Sequence, residues 1–197
     1  MSWQVEKGLD GEVQVREKLR QMLGSSISGY FRTGNLICAG RQVQIDFLIL
    51  IPQVGILVLE VKNWKGTIRA TSDDKWEREV PNYINKFPNA SLQALRASGI
   101  ILQLLEQERI NKWPIRSLVV FVNEGAEIII PQGFLAPQTD IVKLSGLSEW
   151  VVLNKALGWS VNDFSRDDFE KIKAVIVKYS EPYEAVKIIP GDGEFVL

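Results

Sequence analysis

Two apolar runs in this chain carry charge where a β-strand would bury its side chains: Gln44-Ile45-Asp46-Phe47 and Leu59-Glu60-Val61-Lys62. Ionised groups are rare in such runs unless they are paired or bind an ion. Pro52-Gln53-Val54 suits the tip of a hairpin between the runs, and a hairpin with that tip pairs residues whose numbers sum to 106. Asp46 then lies opposite Glu60, with Cβ atoms about 4.5 to 5.5 Å apart, near enough to share one ion. Lys62 follows on the same face about 6.6 Å along the strand. The arrangement depends on register, because a slip of one residue turns one carboxylate to the other face.

Two opposed carboxylates repel each other unless a proton or cation intervenes, and hard oxygen donors select Mg²⁺ or Mn²⁺ over softer metals. Such an ion can acidify water and screen a phosphate under attack. Lys62 can orient a nucleophile or neutralise a pentavalent phosphate. The pattern therefore predicts a metal-dependent phosphodiesterase site. A plainer reading competes with it, namely three solvated charges at strand ends, since a D…ExK spacing recurs by chance.

Two helical positions favour the first reading. Apolar residues recur along the first helix at Leu9, Val13, Leu19, Met22 and Leu23, and Glu12 lies three residues after Leu9, three before Val15 and seven before Leu19, on the apolar stripe, while Gln93 precedes Ala97, Ile100 and Leu104 on one face of a later helix. Either alone could be an edge-of-stripe residue. Together they predict a polar pocket over the hairpin.

The composition narrows the chemistry further. The chain has 197 residues, no histidine and one cysteine, Cys38, so no internal disulfide, thiolate cluster or imidazole base is available. Catalysis must run on carboxylates, lysine and bound ions. No run approaches the roughly 18 apolar residues of a membrane span, and the N-terminus lacks a signal-peptide core, so a cytoplasmic protein is expected. Net charge is −1, but residues 1–120 hold 16 Lys/Arg against 12 Asp/Glu, and residues 121–197 hold 7 against 12. A polyanion, if bound, should face the first part.

The elements that must hold these residues follow from periodicity. Helical spacing runs from Val5 to Leu23 and from Asn89 to Arg109, and Gly24-Ser25-Ser26 and Trp113-Pro114 supply the stops. Extended segments are expected at Tyr30–Ala39, Val43–Ile51, Gly55–Lys62, Thr67–Thr71 and Leu118–Val122. Asp73–Phe87 reads as a loop or short hairpin. Beyond Asn123, short strands are expected at Ile128–Ile130 and Ile141–Leu144, helices at Leu147–Leu157 and Asp167–Tyr179, and a turn at Pro190-Gly191-Asp192-Gly193. This order calls for an α/β fold with a central mixed β-sheet flanked by helices.

These residues resemble the nuclease-related domain family, a branch of the PD-(D/E)XK nuclease-like superfamily. The resemblance is carried by Gly11-Glu12, Gln44-Ile45-Asp46, Leu59-Glu60-Val61-Lys62-Asn63-Trp64-Lys65-Gly66, Trp76, Asn89 with Gln93, and Val119-Val120-Phe121-Val122-Asn123. It implies a restriction-endonuclease-like core over residues 5–125, with residues 126–197 a C-terminal α/β elaboration packed on the same domain. It also implies that Asp46, Glu60 and the Val61 carbonyl hold Mg²⁺ or Mn²⁺, that Lys62 is the catalytic lysine, and that Glu12 and Gln93 support it. Ala90 departs from the family, whose members often have proline after the asparagine.

The expected activity is metal-dependent hydrolysis of DNA, with 5′-phosphate and 3′-hydroxyl products implied by the resemblance. The alternative is a non-catalytic or partner-activated nucleic-acid-binding module of a larger DNA-processing, stress or defence assembly. DNA is the expected partner ahead of RNA. A homo-oligomer, or a fused or associated helicase or kinase module, is also compatible, and the end at Glu194-Phe195-Val196-Leu197 would fit a piece of a longer protein. Lys65, Trp64, Arg69 and Lys86, with Lys75 and Arg78, are candidates for nucleic-acid contact, with solvated surface or rim packing as the competing reading. Cys38 reads as a packing residue.

Overall fold

The structure is a computed structural model that describes residues 3–181 and 191–196, with side chains from Asp10 onward. The side chain of Leu9, the turn residue Pro190 and the terminal Leu197 lie outside the described residues. The first helix, α1 (Trp3–Met22), precedes a three-strand meander of β1 (Gly29–Cys38), β2 (Arg41–Ile51) and β3 (Gly55–Lys62). The short strand β4 (Thr67–Arg69) and the hairpin β5 (Lys75–Val80) and β6 (Tyr83–Pro88) come next, followed by α2 (Ala90–Gln107) and β7 (Ile115–Phe121). The remainder comprises β8 (Glu127–Ile129), β9 (Asp140–Lys143), α3 (Leu147–Leu157), α4 (Arg166–Tyr179) and β10 (Gly193–Phe195).

Six strands form the central sheet in the order β10-β1-β2-β3-β7-β9. β10, β1, β2 and β3 pair antiparallel, whereas β3-β7 and β7-β9 are parallel, so the sheet is mixed as the element order predicts. The parallel step follows from the α2 crossover between β3 and β7. A second sheet, β6-β5-β4-β8, was not foreseen as a unit, although its β5-β6 part is the hairpin allowed for in Asp73–Phe87.

The central sheet is covered on both faces. Val15, Leu19 and Met22 of α1 and Leu147, Trp150 and Val151 of α3 pack on Phe47, Ile49, Leu57 and Leu59. On the other face, Ala97, Ile101 and Leu104 of α2 and Phe169, Ile172 and Val175 of α4 pack on Leu48, Leu50, Ile56 and Val58. This explains why β2 and β3 are apolar at nearly every position rather than alternating. Val13 does not join the stripe of α1; it is exposed, and the buried line runs through Gly11, Val15, Leu19 and Met22 at helical spacing. Cys38 is a buried free thiol in the α2/α4 core, as read from the sequence.

α2 begins where Asn89, almost fully buried, accepts from the Leu92 N–H at 3.1 Å. Its amide also donates to the carbonyls of Thr71 and Asp73, tying the helix start to the second sheet. The cap makes Ala90 a workable first helical residue without proline. Trp76 is fully buried beneath this junction, with its indole N–H on the Thr71 carbonyl at 2.7 Å. Among the described residues no helix is long and apolar enough to cross a membrane.

Candidate active site

The β2-β3 ladder has the predicted register, running from Ile51↔Gly55 to Phe47↔Leu59. It stops one residue short of Asp46 and Glu60, and the reason lies in β2. Leu48 and Leu50 face α2 and α4, but beyond Asp46 the alternation reverses and Ile45, with Val43 beside it, joins that same face. β1 reverses at the same level, with Phe31 before the break and Leu36 and Cys38 after it on the α2/α4 side. The β1-β2 ladder skips the Thr33–Asp46 pair, and Gly34 next to it takes φ +70°, a left-handed conformation that glycine adopts without strain. The Thr33 hydroxyl meanwhile takes the Ile45 carbonyl at 2.5 Å. The β1-β2 arm thus bends away from β3, and a cleft opens at the end of the sheet between them.

Asp46 and Glu60 both line the cleft at the mouth of this gap. With no β2 backbone opposite it, the Val61 N–H donates to Asp46 Oδ2 at 2.7 Å. The Val61 carbonyl, on the same edge of the strand, opens beside that carboxylate. Glu60 is ion-paired with Lys62 at the tip of β3. Because the gap lies at the sheet end, it receives side chains from both faces: Glu12 arrives from α1 and Gln93 from α2. A cleft of ≈ 360 Å³ is lined by Glu12, Asp46, Glu60, Val61, Lys62 and Gln93, with Gln42, Gln44, Asn63 and Arg96 on its walls.

The electrostatics of the cleft centre on Asp46. Its side chain keeps an accessible edge on the cleft, yet protein packed around the carboxyl, the nearby Glu60 and, more weakly, Glu12 push it up from 3.8 to about 8. The Val61 N–H and Lys62 oppose that rise. Glu12 does not stand alone either: its Oε2 is 2.7 Å from Arg32 Nη2, and both side chains are largely buried at 12% and 13% exposure. Helix α1 runs so close to β3 that a Cβ at Gly11 would already touch Asn63, Val122 and Val61.

Whether these residues suit a hard divalent cation can be judged from the donor set. Among the described residues no three His, Cys, Asp or Glu side chains converge into a ready-made cage. Mg²⁺ rarely needs one, since one or two carboxylates with water and substrate oxygens complete its shell. Asp46, Glu60 and the Val61 carbonyl supply hard oxygens only. The two carboxylates crowd each other without a cation between them, and Gln93 Oε1 is buried on the cleft wall with no hydrogen-bond partner. An acceptor left in that state suits an ordered water or ion. The residues fit such an ion.

The five residues singled out by the sequence are therefore neighbours, and the nucleic-acid candidates are not among them. Trp64 packs at 4.9 Å on Phe87 and edge-on at 5.9 Å on Phe121, with Lys62 Nζ 5.6 Å from its ring centroid. Lys65 is exposed just beyond β3. Arg69 and Lys86, with Lys75, line a separate cleft beside Asp73, Asp74 and Glu77, where Lys86 pairs with Glu77 at 3.2 Å. Arg78 lies over the Phe87 ring at 5.2 Å. Sequence reasoning missed Arg32, Arg96, Gln42 and Gln44. Their only signal was polarity within or beside apolar runs, which a solvated strand edge or helix face produces equally well.

No curated protein and no solved structure is significantly similar to the chain. The family model of the nuclease-related domain matches residues 7–122, the stretch that contains Glu12, Asp46, Glu60, Lys62 and Gln93. With more than half of its length matched and a mixed α/β core, the chain belongs to the nuclease-related domain family.

Proposed function

We propose that this protein is a divalent-metal-dependent nuclease that hydrolyses DNA phosphodiester bonds, with Mg²⁺ or Mn²⁺ held by Asp46, Glu60 and the Val61 carbonyl. The observation that carries this reading is the meeting of two carboxylates, a lysine, and polar side chains from two helices in one cleft. When bound, the ion supplies Lewis acidity toward the phosphate and acidifies water. The chain's own residues do the rest. The Val61 N–H fixes the Asp46 carboxylate, so that this ligand needs no reorientation. Lys62 sits beside Glu60 with its ammonium on the cleft, where it can neutralise charge building on the phosphate. Arg32 holds Glu12 at the back of the site, and Gln93 keeps a buried, unpartnered acceptor on the cleft wall. Addition of water to phosphorus and cleavage of the P–O3′ bond, with a proton passing to the leaving oxygen, gives a 5′-phosphate and a 3′-hydroxyl.

A second reading, a nucleic-acid-binding module without turnover, draws on the Glu60–Lys62 pair, which neutralises two of the residues catalysis needs. A panel of single-stranded, duplex and branched DNA with RNA counterparts separates the two. Cleavage that requires Mg²⁺ or Mn²⁺ and stops with EDTA supports the nuclease. Salt-sensitive binding without products on every substrate supports the module. A cytoplasmic setting and association with a helicase or kinase module remain part of the proposal.

A further inference from the structure

Past the bend at Asp46, β2 pairs only with β1, so residues 41–45 form an arm that overhangs the end of β3. Gln42 and Gln44 are exposed on this arm and line the cleft from one side. Gln93 and Arg96, three residues apart on α2, line it from the other. Charge on the cleft is already largely matched, because Glu60 holds Lys62 and Glu12 holds Arg32. Arg96 differs: it is exposed, and among the described residues no carboxylate pairs with it. An unpaired guanidinium facing amides across a narrow groove suits a phosphate flanked by groups that hydrogen-bond to sugar or base edges.

The size of the groove selects the form of the polyanion. At ≈ 360 Å³ it lies near the lower end of the roughly 300 to 1,000 Å³ of small-ligand pockets, and it is walled by the arm, the strand end and two helices. A space of this size is matched by one nucleotide unit, which favours a strand that enters singly over a stacked and paired duplex. A duplex binder also needs many phosphate contacts, whereas this groove offers one free cation among the described residues. We infer that the groove between the Gln42–Gln44 arm and the Gln93–Arg96 face of α2 seats a single, unpaired nucleic-acid strand, with Arg96 as its phosphate contact. This rests on the nuclease reading for the nature of the polyanion.

The test is equilibrium binding in EDTA, where no hydrolysis can intervene. The probes are a fluorescein-labelled oligothymidylate a dozen nucleotides long, the same strand annealed to its complement, and an oligouridylate of equal length. The expected result is at least about tenfold tighter binding of a single strand than of the duplex. Arg96→Gln should weaken single-strand binding several-fold and reduce the slope of log K against log salt by about 0.7, the single-strand value for one lost phosphate contact. Arg96→Lys should restore the slope, which a merely structural role would not predict. Either ranking of the DNA and RNA strands supports the inference and identifies the preferred sugar. Equal or tighter duplex binding, no binding of any probe, or an unchanged slope in Arg96→Gln overturns it. Single-strand binding with the Arg96 effect but no cleavage in Mg²⁺ would leave this inference standing and remove the nuclease reading. Cleavage with an unchanged slope would do the reverse.

Discussion

The Val61 amide donates to the Asp46 carboxylate at 2.7 Å, at the first position where β2 no longer pairs with β3. A side chain therefore stands in for the missing strand backbone, and the carboxylate proposed to hold the metal is also the group that satisfies the strand end. Asp46→Asn keeps an acceptor for that N–H and cannot ionise beside Glu60, whereas Asp46→Ala leaves the N–H unpaired. The expected result in urea unfolding without metal is an Asn variant at least as stable as the parent and an Ala variant less stable by about 1 to 3 kcal/mol. An Asn variant as unstable as Ala would contradict this account of the contact.

Stability of the metal-free protein should fall as pH rises. The Asp46 carboxyl is raised in the folded state from 3.8 to about 8, so between these values the folded chain holds a proton that the unfolded chain has released. Its contribution is fully present below pH 4 and is lost through pH 8, by at most about 1.4 kcal/mol per pH unit. Urea titrations in EDTA at pH 5 and pH 8 should show this fall, and Asp46→Asn should flatten it. Mg²⁺ or Mn²⁺ should stabilise the protein more at the higher pH, because the cation displaces that proton.

Arg32 and Glu12 form a largely buried pair at the rear of the cleft. Removing only the arginine strands a carboxylate among protein groups, and Arg32→Ala is expected to cost about 3 to 5 kcal/mol. Arg32→Met combined with Glu12→Gln should recover much of that loss. A double-mutant cycle by chemical denaturation measures the coupling, and additive effects would show that the two side chains act independently.

Asn89 satisfies three backbone groups with one side chain, on Leu92, Thr71 and Asp73. Asn89→Ala should destabilise by about 2 kcal/mol or more through loss of the cap and of two donors to buried carbonyls. Asn89→Asp keeps the cap but cannot donate, and should fall between the two in thermal melts. Because Gln93 lies on the first turn of α2, both variants should also weaken whatever the cleft binds.

Much of the site was legible because its geometry follows from short-range rules. The turn at Pro52–Val54 sets the register of β2 and β3, and that register brings Asp46 and Glu60 to the same end of the ladder, one residue past its last pair. Helical spacing likewise puts Glu12 and Gln93 on inward faces. The bend at Asp46 was not legible, since it appears only when apolar parity is compared with two separate cores. Arg32 and Arg96 were missed because an arginine near an apolar run looks like solvated surface until its neighbours are known. The β5-β6 hairpin carries Lys75, Glu79, Tyr83, Ile84 and Lys86 facing solvent, so the alternation that reveals a half-buried strand is weak there. The pairing of β10 with β1 joins opposite ends of the chain and leaves no local signature.

The proposed hydrolysis at this cleft requires Lys62 and the two carboxylates to act together with a metal. Single-turnover cleavage of a labelled single-stranded oligonucleotide, titrated with Mg²⁺ and repeated with Lys62→Ala, tests it most directly. Cleavage should rise with Mg²⁺, stop with EDTA and fall at least about a hundredfold in Lys62→Ala, the loss typical when a group stabilising transition-state charge is removed. Cleavage by Lys62→Ala at the parent rate, or none by the parent with either Mg²⁺ or Mn²⁺, would contradict it.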